Sequence, residues 1–195
     1  MWPAWPCSYP LAARTIHEAG SRFADVLCLA VSCITNDVPQ VQRHGQPGEL
    51  RAATLARARP LPLKGGEFQF AMSIQYRVHE EQRASGWIVE QASYAYALFD
   101  RAGRELLVYH WHPEWAGLRP EAHLHLAAAL LEADYKRTFA QQHLPTGRVG
   151  MEDVLGMLIQ ELGVPPNRND WHDTLALTKL QMNEICTQNV AESTR

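Results

Sequence analysis

Long apolar runs, clustered cysteines, nucleotide-binding glycine loops and an excess of positive charge are all missing from this chain of 195 residues. No stretch approaches the ~20 apolar residues that a membrane-spanning helix requires. Cys7, Cys28, Cys33 and Cys186 show neither C-x-x-C nor zinc-knuckle spacing, and four thiols in so long a chain do not make a disulfide scaffold. Buried, reduced thiols are the expectation. Neither GxGxxG nor a P-loop, GxSxG or HExxH occurs. That argues against dinucleotide, nucleoside-triphosphate, α/β-hydrolase and zincin chemistry in their usual forms. The 18 Lys and Arg against 21 Asp and Glu give a net charge of −3, so there is no broad basic field to attract nucleic acid.

What is present begins with an apolar fraction of 46%, ordinary for a protein with a packed core. Charge is unevenly placed: residues 1–64 carry seven basic and four acidic side chains, residues 65–195 eleven and seventeen. The expected organisation is an N-terminal helical or irregular segment over 1–64 and a single α+β domain over 65–195. Ala30-Val31-Ser32-Cys33 loosely matches a lipoprotein cleavage box. Against that match, Asp25 and Arg22 interrupt the short apolar stretch before it, and no cationic segment leads it. A cytoplasmic location without membrane attachment is the expectation.

Local patterning predicts the elements. Thr15-Ile16-His17-Glu18 reads as a capping box that opens a helix over 15–33. Helix propensity predicts a short helix over 49–58, stopped by Pro60 and Pro62. From Phe68 to Val78 apolar and polar residues alternate without a break, which predicts a half-buried strand. Further strands follow over 87–89, 94–99 and 105–112, joined by short polar turns, and 122–126 returns against 105–112. This is an antiparallel meander. The run 127–142 has high helix propensity, and amphipathic helices follow over 151–162 and 171–189, with Asp170 as a cap. The fold class is therefore α+β: an antiparallel sheet over 68–126 covered on one face by the C-terminal helices, with the N-terminal helix at an edge or in a partner contact.

Chemistry concentrates in the histidines. Five of nine fall between positions 110 and 143, as His110-Trp111-His112, His123-Leu124-His125 and His143. Side chains two apart on a strand share a face. If the two strands pair, four imidazoles meet on one patch of sheet, with Trp111, Tyr109, Leu107 and Leu124 on the other side. Two chemistries use such a set. In acid–base catalysis of phosphate cleavage, His125 and His112 serve as base and acid, with His110 and His123 orienting or substituting. Arg148 then binds phosphate, and Lys136, Arg137 and His143 border the substrate. Alternatively, His110, His112, His123 and His125 with Glu114 hold a divalent transition metal such as zinc. A third reading leaves the histidines incidental on a non-enzymatic interaction module. Known metal patterns do not fit by spacing: Trp115 stands where H-x-H-x-D-H needs its third histidine.

The order of strand, His110-x-His112-Pro113-Glu114, short loop, Pro120 and His123-Leu124-His125, then a helix opening Glu152-Asp153-Val154-Leu155, is similar to a family of uncharacterised bacterial proteins. More distantly it resembles the TumE-type toxins of bacterial toxin–antitoxin pairs. The likeness spans about residues 94–163 and places His112-Pro113 on the first histidine element of the toxins, and His123 and His125 on the second. Pro120 is separated from the second element by Glu121 and Ala122, and the Asp-Asn ahead of the first is absent. The resemblance implies a metal-independent ribonuclease acting on RNA inside the cell and a small DNA-binding antitoxin as partner.

Overall fold

A computed structural model describes residues 13–56, 59–81, 86–113, 121–127 and 144–186. Glu114, Lys136, Arg137 and His143, together with the helix expected over 127–142, lie outside the described residues.

The alternation from Phe68 onward builds the centre of the sheet. Strand β4 (Phe68–Glu81) buries Phe70, Met72, Ile74, Tyr76 and Val78 on one face. It pairs along its length with β5 (Gly86–Asp100). The two strands expected over 87–89 and 94–99 are thus one. A register shift opposite Gln75 and Tyr76 accommodates an extra residue in β5 and preserves the alternation on both sides. β6 (Glu105–Trp111), β7 (His123–Leu126) and the two-residue β8 (Leu144–Pro145) extend the meander on one side. β1 (Gln40–Val41), β2 (Arg51–Leu55) and β3 (Leu61–Pro62) extend it on the other. All these strand pairings are antiparallel, in the order β1-β2-β4-β5-β6-β7-β8 with β3 also on β4.

Among the described residues, three helices cover one face: α1 (Ile16–Val31), α2 (Met151–Gln160) and α3 (Trp171–Ile185). The Thr15 hydroxyl accepts from the Glu18 N–H at 3.1 Å and so caps α1. Gly163, in the left-handed region at φ 68°, ends the turn after α2. No described helix is long and apolar enough to cross a membrane.

Four further expectations are corrected. Residues 51–55 form strand β2, not a helix. Their burial alternates, Arg51, Ala53 and Leu55 inward, and each residue pairs with β4, so sheet pairing overrides a weak local propensity. Helix α1 lies on β4 and β5 beside α3 rather than at an edge, with the Phe23 ring 4.4 Å from that of Tyr76. β2 and β3 precede residue 65 and pair with β4 beyond it, so the sheet runs across the expected division at 64/65. Asp170 stands at the start of α3 but caps nothing with its side chain. Its carboxylate takes two bonds from the Arg168 guanidinium, at 2.6 and 2.8 Å, and a bidentate charged pair outcompetes one backbone N–H.

Candidate metal centre on the open sheet face

Trp111 is buried in the core, and Tyr109 and Leu107 pack against it. Alternation therefore turns His110 and His112 to the face of the sheet opposite the three described helices. Just ahead of β7, Ala122 belongs to the core, and His123, the first residue of β7, faces away from it. Register brings the two dyads together: His110 pairs with His123, and Val108 with His125. The rings form one cluster. His110 lies 5.7 Å from His112, 5.8 Å from His123 and 5.2 Å from His125. His123 lies 5.5 Å from His112 and 4.8 Å from His125.

Within the cluster three histidines stand apart. One ring nitrogen each from His110, His112 and His123 lie within 4.8 Å of one another. His123 is 3% exposed, and its Nδ1 is 2.9 Å from the Glu121 carbonyl oxygen. A carbonyl only accepts, so Nδ1 carries the hydrogen and Nε2 the lone pair. This backbone orientation of a ring is the usual outer support of a metal-binding histidine. Nε2 of His123 and Nδ1 of His112 are withdrawn from solvent. The part played by Glu121 is a backbone one, and a side-chain reading of the sequence has no signal for it.

Small side chains leave space beside the rings. Ala95 is the cross-strand neighbour of His110 and pairs on its other side with Ser73. Ala97 sits likewise between Val108 and Ala71. These residues floor an open groove of about 250 Å³ that runs toward Thr54 and Leu55.

Arg148 is not part of this centre. β8 pairs with β7, the Thr146 N–H donates to the Ala122 carbonyl at 3.1 Å, and the chain then turns through Gly147 at φ 67°. The Arg148 guanidinium comes to rest 3.6 Å from the centroid of the Trp111 ring, on the helix side of the sheet. There the Tyr94 hydroxyl accepts from the Val149 N–H at 2.9 Å. The structure thus unites His110, His112, His123 and His125 and leaves Arg148 across the sheet from them.

The fold and cluster define an α+β protein whose described helices lie on one face of an antiparallel sheet and whose histidine cluster lies on the other. No protein-family model, curated protein or solved structure matches the chain.

Proposed function

We propose that this protein binds a divalent transition-metal ion, zinc being the simplest case, through His110, His112 and His123. The observation that carries this reading is the convergence of three imidazole nitrogens within 4.8 Å of one another. Nitrogens around a tetrahedral zinc lie roughly 3.4 Å apart, given Zn–N bonds of about 2.0–2.1 Å, and rotation of the half-buried His110 and His112 side chains covers the remainder. The tautomer of His123 supports it, because the nitrogen left with a lone pair is the buried one. Three protein ligands are the number found in catalytic zinc sites, which keep a fourth position for water or substrate. Ala95, the cross-strand neighbour of His110, lies on the floor of the groove that runs along this face. The ion supplies Lewis acidity there, and the reaction class this arrangement fits is metal-dependent hydrolysis. His125 adjoins the three ligands without joining them.

Metal analysis of the protein purified without a histidine tag and dialysed against zinc tests this reading. One zinc per chain is expected in the parent, with binding lost in His110→Ala, His112→Ala and His123→Ala and kept in His125→Ala. A parent that retains no zinc, nickel or cobalt overturns it. The metal-independent ribonuclease reading, with RNA as substrate and an antitoxin as partner, has the toxin resemblance as its support. Its phosphate-binding cation, Arg148, is across the sheet from the histidines. RNA cleavage that persists in a chelator and vanishes in His125→Ala is the result that would favour it.

A further inference from the structure

The helix-covered side of the sheet holds a second cavity, of about 250 Å³, between α1, β5, the start of α2 and α3. Its floor is apolar, formed by Phe23, Leu27, Ile74 and Met182. Two of its wall residues carry opposite charges that the fold does not match to each other. Glu152 is 5% exposed, and its Oε1 is buried with no hydrogen-bond partner. The Arg148 guanidinium rests on the Trp111 ring and makes no ion pair among the described residues. The neighbouring charges are already used: Lys179 Nζ is 2.5 Å from an Asp153 carboxylate oxygen. Helix α2 starts at Gly150, which offers no side-chain cap, and its first turn lines this cavity.

A buried carboxyl oxygen without a donor is costly unless something fills that place, and a guanidinium at the same cavity asks for an anion. The space is smaller than the roughly 300–1,000 Å³ of pockets for drug-sized ligands. We propose that this cavity binds a small zwitterion of the α-amino-acid class, with its ammonium on Glu152 and its carboxylate on Arg148. Each half of such a ligand meets a group of the opposite sign, and its side chain lies on the apolar floor. Burial, with Asp153 beside it, raises the pKa of Glu152, while Lys179 opposes the shift. An incoming ammonium restores the ionised form. Of the other acids at the cavity, Asp153 is paired with Lys179, while burial, with the Glu152 charge adding, holds the Tyr96 phenol well up and pushes the Cys186 thiol up to about 12. Glu152 is therefore the group that takes the cation.

Calorimetric titration of the full chain in a chelating buffer tests the proposal, with the common α-amino acids, butylamine and butyrate as separate probes. At least one amino acid is expected to bind saturably, with butylamine and butyrate each weaker by about tenfold or more. Glu152→Gln, which keeps the side-chain shape, and Arg148→Met are each expected to weaken that amino acid by about tenfold or more. His110→Ala is expected to leave the affinity unchanged, which separates this site from the metal centre. Absence of millimolar binding by every amino acid overturns the proposal, as does binding that survives both substitutions or is matched by butylamine alone. Should either variant fail to fold, amide chemical shifts of the parent decide. Changes centred on Gly150, Met151 and Glu152 support the site, and their absence means the cavity holds only water.

Discussion

An imidazole nitrogen binds a metal only through a lone pair that a proton would otherwise occupy. At residue scale the proposed histidine centre is therefore a competition between metal and protons. Zinc titrations at a series of pH values are expected to lose affinity as the solution is acidified, and a flat profile would argue against imidazole ligation. Glu152 poses the opposite problem. Burial places its folded-state pKa above the ordinary 4.5, so the folded protein holds that proton more tightly than the unfolded chain. Its contribution to stability is fully present below the ordinary value and is lost as pH rises through the folded one. Urea unfolding midpoints are expected to decline across that window. Glu152→Gln removes this part of the pH dependence and stabilises the unliganded protein at neutral pH. Cys33 offers a third residue-scale check. Burial pushes its thiol up to about 11, with Arg168 opposing, and it is fully buried. Iodoacetamide at neutral pH is expected to modify it only after denaturation.

At the scale of elements, α1 and the segment running into β2 form one fitted unit. Gly20 sits within the helix, and a Cβ there would lie 2.7 Å from the Arg43 carbonyl oxygen. The same carbonyl accepts from Arg51, whose guanidinium also donates to the Gly45 and Gln46 carbonyls at 2.9 and 3.3 Å. Arg51 is 1% exposed, a buried cation held by backbone dipoles. Helix propensity alone predicts that Gly20→Ala stabilises the helix by about 1 kcal/mol. Contact with backbone, which cannot swing aside, predicts a net loss of about 1–3 kcal/mol. The sign of the change in urea unfolding free energy separates the two. This unit also explains why residues 49–58 mislead as a sequence. Ala52, Ala53 and Ala56 favour helix in isolation, but β4 offers five consecutive pairing partners, and the polar head of Arg51 finds its acceptors only with the chain extended.

Across the whole molecule, the core draws on both sides of the apparent divide at residue 64. Phe23, Leu27 and Val31 from α1 and Ala53 and Leu55 from β2 belong to the same buried cluster as Tyr96, Leu155 and Leu158. A fragment comprising 65–195 would expose that cluster, and it is expected to lack the cooperative thermal transition of the full chain. Differential scanning calorimetry of both checks this. The charge asymmetry between the two parts is real, but charge composition describes surface and says little about which apolar faces meet. Period-two alternation in β4 and β6, the capping box at Thr15 and the apolar stripe of α2 were legible from order alone, because each is a consequence of backbone geometry within a few residues. So was the shared face of His110 with His112 and of His123 with His125. That the two dyads meet depended on the β6–β7 register, and the position of Arg148 depended on a turn after β8 that carries the chain to the other face. Glu152 had a faint signal, lying three residues before Leu155 and seven before Ile159 on the buried stripe, but an acid at a helix start ordinarily faces water. Local periodicity, set by bonded geometry, determined which side chains travel together. Only the packing of distant segments decided which of those groups meet, because that choice is made by long-range pairing and burial that no short stretch of chain contains.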